Sequence, residues 1–79
     1  MNILVGFTTV DGYFNAKNIK GEPDLDWNDL KYSGIDLIEH WIGDNFYEAE
    51  IKLVDHNNIK VLAYDELGEL LGKGYIIEE

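Results

Sequence analysis

Apolar and polar positions alternate through most of this chain, and the alternation changes period once. From Ile3 to Val10, branched and aromatic residues recur with the two-residue period of a strand. Asp11-Gly12 follows, and Asp-Gly between two apolar runs is a hairpin signal, because both turn positions favour positive φ. Tyr13 to Ile19 is then the returning strand. A two-residue turn pairs Thr9 with Phe14 and Phe7 with Ala16, so that Ile3, Val5, Phe7, Phe14 and Ala16 share one face.

Lys20 to Asp26 is a loop, marked by Gly21 and Pro23. Asp26 has the character of an N-cap, with Asp29 three residues on and near the positive end of the helix dipole. A short helix is expected from Trp27 to about Tyr32, broken at Ser33-Gly34. Ser33 then caps a second set of turns, with Asp36 at the capping-box position. Over 34–42, Ile35, Ile38 and Ile42 form one stripe with Leu37 and Trp41 beside it, and Asp36, Glu39 and His40 face outward. Gly43 is the expected stop.

The two-residue period returns from Phe46 onward as a three-stranded meander. Tyr47, Ala49, Ile51 and Leu53 alternate with Glu48, Glu50 and Lys52. The next strand, Ile59 to Tyr64, carries Ile59, Val61 and Ala63 on one face. Matching Leu53 to Val61 calls for a three-residue loop, His56-Asn57-Asn58, with Asn58 left-handed. Asp65-Glu66-Leu67-Gly68 reads as a type I turn closed by a left-handed Gly68. The last strand runs from Leu70 to Ile77, where Gly72 and Gly74 signal a bulge or a close backbone approach. The expected fold is α+β: one domain over 1–79, in β-β-α-β-β-β order. It is a small antiparallel sheet with one interrupted helical segment packed on one face. Periodicity leaves open whether the N-terminal hairpin joins the meander edge to edge.

Composition supports a folded unit. Hydrophobic residues make up 46% of the 79 and aromatic residues 13%, too many for a disordered acidic tail. A chain of this size buries only about 60% of its unfolded surface. With no Cys, neither a disulfide nor a zinc-thiolate site can reinforce it. The lack of Cys fits a reducing cytoplasm, the expected location. Met1 to Val5 has no basic n-region, and no run of about 18 apolar residues could span a membrane.

Charge changes the picture most. The net charge is −10, from sixteen acids against six lysines, with no Arg. Residues 1–20 carry +1, residues 21–50 carry −8 and residues 51–79 carry −3. Such a surface is repelled by anionic lipid and by nucleic acid, whose binding rests on basic side chains neutralising phosphates. No membrane and no direct nucleic-acid contact are expected. A basic protein is the favoured partner.

Motifs for chemistry fail on inspection. Asp24-Leu25-Asp26-Trp27-Asn28 has the alternating oxygens that open a calcium loop. The sixth and twelfth places hold Asp29 and Ile35 where Gly and Glu are required. Gly68 to Gly74 has three residues between Gly68 and Gly72 where a phosphate loop has four, lacks the hydroxyl and leads into a strand. His40 and His56 are expected at the surface without a ligand set. Ser33 has no nucleophile motif around it. No cofactor, no metal and no catalysis are expected.

What remains is the acidic middle: Glu22, Asp24, Asp26, Asp29, Asp36, Glu39, Asp44, Glu48 and Glu50. A net charge of about 8 in magnitude already serves solubility on a small domain. The excess, concentrated in one third of the chain, points to a patch that binds a cationic surface. The expectation is an inhibitor that competes with nucleic acid for the basic channel of a nuclease or nucleic-acid-binding effector. Anti-CRISPR-like phage proteins, which oppose host defence, and immunity proteins of nuclease toxins are of this type. The alternative is an interaction module or small oligomer that uses a sheet edge or aromatic face. Tyr13, Tyr64 and Tyr75, read first as cross-strand packing, would then be its anchors.

Overall fold

The computed structural model describes residues 2–79. Five strands, β1 (Asn2–Thr9), β2 (Phe14–Lys20), β3 (Glu48–Asp55), β4 (Asn58–Tyr64) and β5 (Leu70–Glu78), form one sheet in the order β2-β1-β5-β4-β3. Every neighbouring pair is antiparallel. The hairpin therefore joins the meander through β1 and β5, the question periodicity left open. One helix, α1 (Trp27–Ile42), lies across β1 and β5, and a 3-10 turn (Gly43–Asn45) leads into β3. The α+β class and the β-β-α-β-β-β order are as the pattern foretold.

The core lies between helix and sheet. Ile3, Val5 and Phe7 of β1, Ile59, Val61 and Ala63 of β4, and Ile76 of β5 are buried against Leu30 and Ile38 of α1. Trp27, Ile35, Leu37, Trp41 and Ile42 close its margins. No polar or charged side chain is buried among the described residues, so burial of apolar area holds the layers together without internal polar pairing.

The helix corrects the expected interruption. α1 runs unbroken through Ser33-Gly34, and Ser33 is an exposed mid-helix residue, not a cap. Gly34 is buried where the helix comes nearest the sheet. A Cβ there would stand 2.7 Å from Ile76 Cδ1 and 3.1 Å from Val5 Cγ2. The glycine permits close packing of helix on sheet, and the contact outweighs its cost to helix propensity, of about 1 kcal/mol. The two ends are as expected. Asp26 Oδ1 accepts from the Asp29 amide at 3.1 Å, Asp29 Oδ2 accepts from the Asp26 amide at 3.4 Å, and Gly43 ends the helix at φ 78°.

The hairpin register is also corrected. Thr8 pairs with Phe14, Phe7 with Asn15 and Gly6 with Ala16. The cause is the turn. Gly12 alone has positive φ, at 95°, and Asp11 does not. The Thr9 carbonyl accepts from the Gly12 amide at 3.0 Å, and the Thr9 amide donates to the Tyr13 carbonyl at 2.8 Å. This is a three-residue loop with a left-handed third residue, not a two-residue turn. The one-residue slip sends Phe14 and Ala16 to the face opposite Ile3, Val5 and Phe7. Ile19, opposite Ile3, packs on the core in their place.

β3 and β4 reach the foreseen faces by another route. Leu53 pairs with Ile59, and Ile51, not Leu53, pairs with Val61. A tight turn at His56-Asn57 combines with a bulge between Leu53 and Asp55, and Asn58 is not left-handed. The Asp65–Gly68 turn is as expected, with Gly68 at φ 80° and its amide donating to the Asp65 carbonyl at 3.0 Å. Both signals of Gly72 and Gly74 are realised. A bulge separates the Ala63–Gly72 and Tyr64–Leu70 pairs, and both glycines sit under the Phe7 ring.

Candidate functional site

The nine acids singled out in the sequence are all exposed, but they do not form one patch. Glu22 and Asp24 lie in the loop before α1, and Asp26 and Asp29 form its capping box. Asp36, Glu39 and Asp44 come together with His40 and Gly43 around a shallow depression at the other end of the helix. At 1.5 Å per residue, about 10 Å of helix axis separates Asp29 from Asp36, and the full sixteen residues of α1, about 24 Å, separate the capping box from the turn that carries Asp44. Glu48 and Glu50 project from the opposite face of the sheet. They pair with Tyr64 and Leu62, which alternate with the core residues Val61 and Ala63.

Antiparallel topology creates a second grouping that the sequence conceals. The ends of α1, β1 and β4 and the starts of β3 and β5 meet at one end of the sheet. Val10, Asp11, Trp41, Asn45 and Leu71 line a common depression there, and the Val10 amide donates to the Leu71 carbonyl at 3.0 Å. Asp11, Asp44, Asp65, Glu66 and Glu69 therefore lie in the turns at this end, Glu48 opens β3, and Asp36 and Glu39 lie alongside. The turns contain no lysine. The C-terminal end of the helix dipole adds to the same negative field. Asp11, Asp65, Glu66 and Glu69 were missed because they are scattered along the chain. Their one common signal is that each sits in or beside a turn preceding a glycine or following a strand end.

Lysines go elsewhere. Lys20, Lys52, Lys60 and Lys73 pair with Asn2, Lys60, Tyr75 and Leu62, which places all four on the helix-free face of the sheet. Tyr75 crosses Gly6 on this face, and with Lys60, Lys73, Val54 and Ile77 it lines a groove of about 380 Å³. Tyr64 and Tyr75 are thus on the second sheet face, whereas Tyr13 lies in the hairpin loop. The Tyr64 hydroxyl donates to Glu50 Oε2 at 3.1 Å. Partial burial of the phenol, then this hydrogen bond and the charges of Glu50 and Glu48, raise its pKa above the ordinary tyrosine value. Lys52 Nζ stands 3.9 Å from Glu50 Oε1, an exposed pair of small energetic weight.

No group of three or more His, Asp or Glu is close enough to hold a metal ion among the described residues. Among the described residues, no helix is long and apolar enough to cross a membrane. Comparison with protein-family models, with curated proteins and with solved structures finds no match to this chain.

Proposed function

We propose that this protein is an acidic binder that blocks a basic surface of a nucleic-acid-handling protein, through the end of the molecule where α1 stops. The observation that carries this reading is the separation of charge. Asp11, Asp36, Glu39, Asp44, Glu48, Asp65, Glu66 and Glu69 gather at that end, while four of the six lysines occupy the helix-free face. A field of one sign at one pole orients a cationic partner during encounter and speeds association. The turns at this end carry acids and no lysine, which suits competition with phosphate chains for a basic channel. A phage-borne antagonist of host defence and an immunity protein of a nuclease toxin both fit this role, and both act in the cytoplasm.

The test is capture of partners from host lysate, followed by release with salt and with competing duplex DNA. The expected eluate is a nuclease or DNA-binding protein, released by both. The combined variant D44N/E66Q/E69Q should lose capture, and K60Q should keep it. Capture that resists salt, ignores DNA and survives the triple variant overturns the reading.

A further inference from the structure

We propose that two copies of this chain join through their β3 edges, antiparallel and about a two-fold axis at Ile51, into one continuous sheet. The two edges of the sheet differ in kind. β2 has no acid, and Asn15, Lys17, Asn18 and Lys20 line most of it, so no self-pairing of β2 sets opposite charges together. Lysines along an edge are a common guard against pairing. β3 differs in carrying both signs, Glu50 and Lys52, so its charges can pair with those of a second copy instead of repelling them. Ile51 is 45% exposed, Leu53 73% and Val54 61%, and α1 lies over β1 and β5, too far away to cover them.

The charge order of β3 selects both the occupant and the register. In an antiparallel pair about a two-fold axis normal to the sheet, directly opposite residues share a face. The axis must then run midway between one residue and its own copy across the pair. Centred on Ile51, Glu50 of each copy faces Lys52 of the other, twice over, on the helix-free side. On the helix side Ile51 meets Ile51 and Ala49 meets Leu53, which extends the apolar layer. Centring on Glu50 opposes two glutamates, and centring on Lys52 opposes two lysines. Of these three central registers, the Ile51 register alone joins opposite charges without a like-charge pair.

The net charge of −10 does not forbid this union. The helix sits about two and a half strand spacings from β3, about 12 Å at the usual separation. The two helices of a joined pair would then stand about 29 Å apart. That is several times the Debye length of about 8 Å at physiological ionic strength. The antiparallel arrangement also sends the two acidic ends to opposite ends of the joined sheet. The proposal is independent of the acidic end as a binding surface, because none of the turn acids takes part. Strand pairing over five residues or so is a small interface, so association is expected to be reversible and dependent on concentration.

Sedimentation equilibrium across a wide protein concentration range tests this, with circular dichroism confirming that each variant is folded. The wild type should pass from monomer to dimer as concentration rises. K52E and E50K should each weaken dimerisation at least tenfold, because each places like charges opposite one another twice. The double swap E50K/K52E restores the complementary order and should restore the dimer. D44N/E66Q/E69Q should dimerise as the wild type does, even if it no longer captures a partner. A wild type that stays monomeric throughout, or a dimer indifferent to the single charge changes, overturns the proposal. So does a double swap that fails to recover association.

Discussion

Phe7 and Phe14 are seven residues apart in the chain, and each lies next to the other's cross-strand partner, yet they lead opposite lives. Phe7 is 1% exposed beneath α1, and Phe14 is 57% exposed on the face the helix does not cover. The contrast extends to the whole sheet. The covered face is dry and free of buried polar groups, and it takes its cohesion from β1, β4, β5 and α1. The open face mixes Leu62, Tyr64 and Tyr75 with lysines and two glutamates, and its contacts are between neighbouring strands. Stability therefore resides on one side, and the other is available for polar and charged function.

Truncation of the two phenylalanines breaks the comparison most sharply. Phe7→Ala should cost about 3–5 kcal/mol, enough to unfold much of a small domain, because it opens a cavity under the helix. Phe14→Ala should stay within about 0.5 kcal/mol. Urea denaturation of the two variants measures the difference, and equal losses would mean the register is wrong.

Added atoms give the next largest contrast. At Gly72 a Cβ meets the Thr8 carbonyl oxygen and the Phe7 ring, neither of which can move freely, so Gly72→Ala should cost about 1–3 kcal/mol. At Gly6 on the open face the obstacle is the Tyr75 ring, which is half-exposed and can swing away, so Gly6→Ala should cost less. A thermal shift larger for Gly6→Ala than for Gly72→Ala would reverse the assignment of rigid and yielding faces.

Asp26→Ala removes one half of the capping box on the covering layer and should cost about 1 kcal/mol, read as a lowered urea midpoint with an unchanged slope.

The smallest effect is on the open face. The Tyr64 phenol titrates above the ordinary tyrosine value, about 10. The folded state thus favours its protonated form. The stability this confers is present below that ordinary value and is lost as pH rises through the folded one. Glu50→Gln should move the Tyr64 titration, followed by absorbance, back toward the ordinary value. No movement would mean that the hydrogen bond to Glu50 does not persist in solution.

Much of this architecture could be read from the residues. Two-residue alternation located every strand, Asp26 and Gly43 marked the helix ends, and Gly68 marked its turn. The misreadings share a cause. Asp11-Gly12 and Ser33-Gly34 carry local signals that are ambiguous. Asp-Gly suits a two-residue or a three-residue turn, and a mid-helix glycine can end a helix or let it approach a sheet. The choice at Gly34 depends on Ile76 and Val5, which are distant in sequence. The acidic middle was real as a count and incomplete as a surface. Asp65, Glu66 and Glu69 join Asp44 only because β4 and β5 turn at the end where α1 stops.

The sequence by itself determined the periods, the caps and the surplus of negative charge, since each depends on residues within a few positions of one another. Only the tertiary structure decided which face Phe14 occupies, which edge lies bare and where the acids meet. Those outcomes depend on strand order and register, and a shift of a single residue in one hairpin reverses a whole face.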